Sequence, residues 1–366
     1  MHTVQAMMKT MWARARHVAM TRTSPRVRAV RLSLIQLLVY SLVLTASSRQ
    51  LSAMDDETTL APVPRTIQAE TISPLDGEKQ PLLYWAPPEA MNKATPLFVF
   101  LHSWSSDYLQ DNEKWLRACV EHRWIWLHPN FRGVNDSPKA CGSKYARQDI
   151  LDAIDFISLK VKVDPTRVYL AGVSGGGHMS LLMAGHHPDR FSAVSAWVGP
   201  TDLAEWYRFH CKDGQPQKYA QMVAKSLGGK PGDSIEIDLD YRDRSPVFQL
   251  HRSGELPVSI WAGVEDGHSG SVPVSHSLRA FNAIALGHEA KSPPVSDVEI
   301  EQLVGQKKLD QPQPQGEIPG LSRDVLLHRR SKDSEVIIFD GGHESLPEAA
   351  FFWLSAKQRK TQGQQN

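Results

Sequence analysis

Six continuous apolar runs, separated by segments of helical period, constrain this 366-residue chain more than any other feature. The runs are residues 96–101, 124–127, 168–171, 193–198, 258–262 and 335–339. Strands that are covered on both faces of a parallel sheet have this continuous pattern, because neither face meets water. Segments of helical period between them include residues 113–122, 149–157, 177–184 and 274–284. The alternation predicts right-handed βαβ crossovers and an α/β fold with a mainly parallel sheet.

Two earlier segments, residues 65–72 and 80–85, alternate apolar with polar side chains instead. This pattern predicts antiparallel N-terminal strands beside a mostly parallel central sheet with helices on both faces. Residues 201–252 contain aromatic and charged side chains but no obvious strand, and we expect them to form a lid or pocket wall. Residues 288–334 are rich in Pro, Gln and charge, which predicts a partly ordered excursion before the last strand.

Residues 1–53 have the pattern of a signal peptide with a long basic leader. Seven basic side chains lie within the first 31 residues. An apolar run follows at residues 32–46, and small residues come after it. The run is shorter than the ~20 residues that a membrane span needs. The pattern therefore predicts cleavage near residues 48–53 and export to the periplasm or the exterior, with an uncleaved anchor as the alternative. Residues 54–366 would then form one folded domain.

Charge and cysteine content narrow the function classes. Seven of the 41 basic residues lie in the first 31 positions, where no acidic residue occurs, which leaves 34 against 40 acidic ones and a charge of about −6. This balance provides no basic surface for nucleic acid. The three cysteines match no zinc spacing. Cys119 reads as a buried residue of a helix, whereas Cys141 and Cys211 form either a disulfide or two free thiols in an exported protein.

The motif Gly172-Val173-Ser174-Gly175-Gly176 lies between an apolar run and a helical segment. A sharp strand-to-helix turn strains the backbone of its central residue, and neighbours without side chains relieve the crowding. The helix N-terminus behind the serine also stabilises developing negative charge. This is the setting of a nucleophile elbow, so we predict that Ser174 is a nucleophile; a purely structural glycine turn is the alternative.

A serine nucleophile needs a base, and the base needs a carboxylate that fixes its tautomer. Asp266 follows the fifth apolar run and His343 follows the sixth, where strands of a parallel sheet deliver site residues. We prefer Asp266 as the acid over its neighbour Glu265, because it lies one residue farther into the turn. We prefer His343 as the base over His268, because it follows a glycine pair at the end of a late strand.

The oxyanion of such a reaction needs two backbone N–H donors, and we expect them from Gly175 and from Trp104 in the loop after the first run. Trp206 and Tyr207, in the 201–252 segment, are candidates for substrate contact, with core packing as the alternative. The chemistry predicted from these residues requires no metal and no organic cofactor.

At these positions the sequence resembles the catalytic domain of the prolyl oligopeptidase family of α/β-hydrolases, and it is similar to secreted esterases of that superfamily. The resemblance spans roughly residues 80–355. It rests on residues 172–177, on Asn130-Phe-Arg-Gly133, on residues 263–266 followed by Val272-Pro273, and on Gly342-His343. It implies an α/β-hydrolase domain over residues 54–366, with Ser174 as nucleophile, Asp266 as acid and His343 as base.

Two features differ from the family's peptidases. They carry an additional β-propeller, for which this sequence shows no segment of sufficient size, and they have paired glycines or a tyrosine where His102-Ser103-Trp104 stands here. We therefore expect a serine hydrolase that cleaves a carboxyl ester or a peptide-type acyl bond through an acyl-enzyme. Its substrate would be a small ester, a carbohydrate ester or a short peptide, with no nucleic-acid partner and no membrane contact beyond an uncleaved signal.

Two other functions remain open. One is a peptidase that acts on short exported peptides. The other is a binding protein that has the hydrolase fold but no activity. A protein of this second kind is expected to lose a member of the triad, and here all three predicted members are present.

Overall fold

The computed structural model describes residues 62–291, 294–312 and 316–360. The signal peptide predicted for residues 1–53 lies outside the described residues. The chain divides into the units Met1–Pro62 and Val63–Asn366, and the fold given below is that of the second unit. Within the described ranges, no helix is long and apolar enough to cross a membrane.

A nine-stranded sheet forms the centre of this unit. Its strands are β1 (Ile67–Ile72), β2 (Lys79–Trp85), β3 (Thr95–Leu101), β4 (Ile125–Pro129), β5 (Val163–Val173), β6 (Ala193–Trp197), β9 (Val258–Gly263), β10 (Val325–Ser331) and β11 (Ser334–Phe339). Their order across the sheet is β1-β2-β4-β3-β5-β6-β9-β11-β10. Neighbours from β4 to β11 are parallel, whereas the pairs β1–β2, β2–β4 and β10–β11 are antiparallel. The predicted mostly parallel sheet with antiparallel N-terminal strands is thereby confirmed.

Helices connect the strands and pack around the sheet. The α-helices of the described residues are α1 (Glu113–Glu121), α2 (Lys144–Lys160), α3 (Gly175–His186), α4 (Leu203–Phe209), α5 (Lys218–Leu227), α6 (Ile235–Asp243), α7 (Ser275–Gly287), α8 (Asp297–Gln306) and α9 (Pro347–Ser355). Every residue of β3, β4, β6, β9 and β11 is buried. This burial explains the continuous apolar runs, because a strand between two helical layers has no face in water.

The two irregular stretches hold more regular structure than their sequences indicate. Residues 201–252 form α4, α5 and α6 together with a short hairpin of β7 (Cys211–Lys212) and β8 (Gln215–Pro216). The 288–334 stretch contains α8 and β10. Helix α8 begins with a capping box, in which Ser296 and Glu299 bond each other's backbone N–H. Edge strand β10 buries only Leu327 fully. Because most of its other residues are polar, its sequence lacks the apolar run by which the buried strands were predicted.

Arg132 joins the first hairpin to helix α2. Its Nε donates to Asp149 Oδ2 at 2.6 Å, and its Nη1 donates to Asp76 Oδ2 in the β1–β2 turn at 2.8 Å. The side chains of Arg132 and Asp149 are only 3% and 1% exposed. Burial raises the pKa of the Asp149 carboxyl, while the Arg132 guanidinium beside it acts in the opposite direction. The guanidinium therefore stabilises a carboxylate that burial alone would destabilise.

Replacing Arg132 by methionine retains an unbranched side chain but leaves Asp149 buried without a cation. Removing one partner of a buried ion pair costs about 3–5 kcal/mol, and we expect the free energy of unfolding in urea to fall by this amount. The control is Arg123→Met, which breaks the exposed pair with Glu89 and should lower the free energy far less, because water screens that pair. Equal losses in the two variants would contradict the role given to Arg132.

Candidate active site

Ser174 lies at the sharp turn between β5 and α3. Its backbone has φ 59° and ψ −115°, a conformation that residues with side chains rarely adopt. A Cβ at Gly172 would collide with the backbone of Gly176, and a Cβ at Gly176 would collide with the carbonyl of Leu101. Only glycine fits at these two positions while the turn remains this tight. The local structure is therefore a nucleophile elbow, with the Ser174 side chain at the carboxyl end of a central strand.

Asp266 and His343 are hydrogen-bonded to each other. His343 Nδ1–H donates to Asp266 Oδ2 at 2.7 Å, and the two side chains are 26% and 1% exposed respectively. Asp266 Oδ1 accepts the backbone N–H groups of Gly267 and Val272, each at 3.0 Å. The carboxylate is thus fixed by the backbone, and in turn it fixes the imidazole with Nε2 available for proton transfer.

The loop after β11 holds His343 beside the loop that follows β9. Val264 N–H donates to Phe339 O and Glu265 N–H donates to Gly341 O, both at 2.9 Å, so this loop lies over the end of β9. In the sheet, these strands follow one another in the order β5, β6, β9 and β11, so only β6 separates β9 from the elbow strand β5. Within the described part of the chain, the Ser174 hydroxyl has no hydrogen-bond partner. Catalytic hydrogen bonds of this kind are often long before substrate binds and tighten in the complex.

The two alternative residues have other partners. The Glu265 carboxylate pairs with Lys307 at 2.6 Å. His268 is exposed, and its Nε2 contacts the Val304 carbonyl at 2.7 Å. Of the two neighbouring carboxylates, the structure therefore places Asp266 and not Glu265 against His343.

The two predicted oxyanion donors are adjacent. A Cβ added to Gly175 would collide with the backbone N of Trp104, so the loop and the helix N-terminus are in direct contact there. Neither of these two N–H groups donates to another group of the described residues. Two unpaired N–H donors at a helix N-terminus can stabilise a developing oxyanion.

His102 fixes this loop, and the sequence reasoning missed it. The fully buried ring stacks on Phe131 at 3.9 Å and places Nε2 2.7 Å from Asn130 O and Nδ1 3.0 Å from Ser103 O. Burial lowers the pKa of His102, while the two carbonyl oxygens that face its ring nitrogens act in the opposite direction. The sequence signal that could have identified this residue was a histidine at the start of the expected oxyanion loop.

Trp206 and Tyr207 do not present flat surfaces to a substrate, which corrects that expectation. Their side chains are 1% and 9% exposed. Trp206 packs against Trp104 with ring centroids 4.6 Å apart, and its Nε1–H donates to Ser271 O at 2.8 Å. Both residues belong to a buried cluster, in which Trp206 packs against the loop residue Trp104, as the packing alternative predicts.

The possible disulfide is not formed either, since Cys141 and Cys211 are both free. Cys141 is enclosed among aromatic side chains, and burial raises the pKa of its thiol to about 12. The Cys211 thiol donates to the carbonyl of Tyr207 at 3.3 Å, within its own turn.

The fold is that of the α/β-hydrolases, and the site combines a strained serine turn with an aspartate–histidine pair. Residues 142–294 of the chain match the prolyl oligopeptidase family. The matched range includes Ser174 and Asp266, and His343 lies after it. The resemblance inferred from the sequence motifs is thereby confirmed.

Two curated proteins are similar over part of the chain. Acylamino-acid-releasing enzyme 1 of Oryza sativa subsp. japonica is 25% identical over 217 residues, which cover 54% of this chain and 26% of that protein. Poly(3-hydroxyalkanoate) depolymerase C of Paucimonas lemoignei is 26% identical over 123 residues, which cover 31% and 30% respectively. The match spans about a quarter to a third of the length of these relatives.

Solved structures give the same fold. The acylaminoacyl peptidase of Pyrococcus horikoshii has a TM-score of 0.57 at 16% identity, covering 82% of this chain and 43% of its own. A puromycin-hydrolysing peptidase of Mycobacterium tuberculosis has a TM-score of 0.51 at 17% identity, and the match covers 81% of this chain and 38% of that peptidase. At these identities the similarity establishes the fold.

Proposed function

We propose that this protein hydrolyses a carboxyl ester or a peptide-type acyl bond through an acyl-enzyme at Ser174. The observation that carries the proposal is the buried Asp266 carboxylate bonded to His343 at 2.7 Å, at the sheet edge where the elbow presents Ser174. A hydroxyl becomes a useful nucleophile only when such an oriented base removes its proton.

The proposed reaction has two stages. His343 Nε2 takes the Ser174 proton while Oγ attacks the carbonyl carbon, and the N–H groups of Gly175 and Trp104 bind the oxyanion. His343 then gives this proton to the leaving group, and the acyl-enzyme remains. Water next attacks the acyl carbon with His343 as general base, and Ser174 recovers its proton as the acid product leaves.

The names of the relatives support two bond types. One relative is an acylamino-acid-releasing enzyme and another is a depolymerase of a polyester, so both amide-type and ester-type acyl bonds are compatible with this site. The leader pattern of residues 1–53 supports export of the hydrolase, which N-terminal sequencing of the protein from its native host tests.

The direct test compares two substrates with the same acyl group, N-acetyl-alanine p-nitrophenyl ester and N-acetyl-alanine p-nitroanilide. We expect hydrolysis of the ester with the higher kcat/KM, because its leaving group departs without the protonation that an amine requires. We also expect a fluorophosphonate probe to label the peptide that contains Ser174. Hydrolysis of neither substrate, together with no labelling of that peptide, would favour the non-catalytic binding protein.

A further inference from the structure

A surface groove with a volume of about 450 Å³ lies beside the oxyanion loop. Ser105, Val134 and Asp136 line one side of it. Residues of helix α5, among them Lys218, Met222 and Lys225, line the other side. The groove therefore separates the catalytic loops from the first long helix of the 201–252 segment.

The groove begins close to the proposed nucleophile. Ser105 follows Trp104 directly, and the Trp104 backbone N is in contact with Gly175, the residue after Ser174. Because consecutive Cα atoms are about 3.8 Å apart, the wall of the groove starts within about 10 Å of Ser174. Its position is also fixed, since Asn135 N–H donates to Trp104 O at 3.0 Å and Ser226 of α5 donates to Asn135 O at 3.2 Å. A substrate held at Ser174 would extend into this groove after a few bonds.

The lining combines an apolar floor with an excess of positive charge. Val134 and Met222 supply the apolar part, and an unbranched methionine adapts to different ligand shapes. Lys225 pairs with Asp136 at 2.9 Å, with side chains 65% and 40% exposed, so water weakens this pair. Lys218 has no carboxylate partner in the described part of the chain, and its Nζ lies 5.8 Å from the centroid of the Tyr219 ring. One lysine thus lacks a carboxylate partner and a second is weakly held by one, which suits an anionic group of a ligand.

We propose that this groove is a substrate subsite for an acyl group that ends in a carboxylate. The apolar floor takes the methylene chain or an apolar residue, and the ammonium groups of Lys218 and Lys225 take the terminal carboxylate. The substrate class is then half-esters of dicarboxylic acids and short acidic peptides. This inference rests on the proposed acyl hydrolysis at Ser174 and specifies which acyl groups that site prefers.

The test uses two esters that differ only in the terminal carboxylate, mono-p-nitrophenyl adipate and p-nitrophenyl hexanoate. The measured quantity is the ratio of their kcat/KM values in the wild type, in Lys218→Met, in Lys225→Met and in the double variant. We expect the adipate preference to fall about threefold in each single variant and about tenfold in the double variant, the range of exposed ion pairs. It should also weaken as ionic strength rises, because salt screens such pairs.

Lys212→Met is the matched control, because Lys212 is exposed on the β7–β8 hairpin and does not line the groove. We expect this variant to keep the wild-type ratio. A ratio that stays constant in the double variant, or that falls equally in the control, would overturn the subsite while leaving the hydrolase intact.

A second measurement covers the case in which neither ester is hydrolysed. Two fluorophosphonate probes, with and without a terminal carboxylate on the alkyl chain, report the same preference as labelling rates at Ser174. Faster labelling by the carboxylate probe that is lost in the double variant supports the subsite even without turnover. If neither probe labels Ser174, the proposed function fails and the subsite fails with it.

Discussion

Replacing Ser174 by alanine is expected to lower kcat for ester hydrolysis by about 10⁶-fold, the effect typical of a triad nucleophile. The loss arises because His343 then has no hydroxyl to deprotonate and no acyl-enzyme forms. The oxyanion donors and the binding surface remain, so residual hydrolysis above the rate in water is expected. The measurement is the rate of p-nitrophenol release at saturating ester, together with labelling by a fluorophosphonate.

Ser180→Ala is the matched control for this change. Ser180 lies on α3, close in sequence to the elbow, and its buried hydroxyl has no hydrogen-bond partner in the described residues. Its removal therefore leaves no polar group unpaired, and we expect normal turnover and normal labelling. Persistent labelling of Ser174→Ala at wild-type rate would mean that another residue is the nucleophile.

Asp266→Asn is expected to lower kcat about 10⁴-fold while the fold is retained. The reason is a change of tautomer. Because Asp266 Oδ1 accepts two backbone N–H groups, the amide oxygen of an asparagine would take that place and its NH₂ would face His343. His343 Nδ1 must then accept a hydrogen bond, which places the ring proton on Nε2. A protonated Nε2 on a neutral ring accepts no proton from Ser174.

The control for this prediction is the adjacent Glu265→Gln, which loses the pair with Lys307 but does not touch the imidazole. We expect its kcat to stay close to that of the wild type. Circular dichroism and urea unfolding of both variants show whether the fold is intact. Loss of activity in Glu265→Gln with full activity in Asp266→Asn would reverse the assignment of the acid.

The sequence alone was sufficient to predict the parallel sheet and the elbow, because both features have local causes. A strand buried on both faces must be apolar throughout, and a tight strand-to-helix turn must contain glycine, so each leaves a readable pattern. The pairing of Asp266 with His343 was also accessible, since each residue follows such a strand. Strand β10 was missed because an edge strand meets water and tolerates charged residues.

Other features depend on contacts between distant parts of the chain. A tryptophan on a short helix is compatible with a pocket or with a core, and only the position of Trp104 decides that Trp206 belongs to a core. The free state of Cys141 and Cys211 likewise has no local signal in the sequence, because it depends on how the loop and the hairpin that carry them are packed. The contacts of His102 with Asn130 also join residues that no local pattern relates.

The packing of Trp104 against Trp206 limits how such an enzyme is engineered. Trp104 belongs to the hydrophobic cluster of the 201–252 segment, with Leu203 and Tyr241, and not to the main core around the sheet. In the proposed reaction the same residue provides a backbone donor, while its side chain packs within that segment. A graft of this segment from another hydrolase, made to change selectivity, must therefore supply a new aromatic partner for Trp104. Without one, specificity and rate would change together, and the graft would behave as a catalytic mutation.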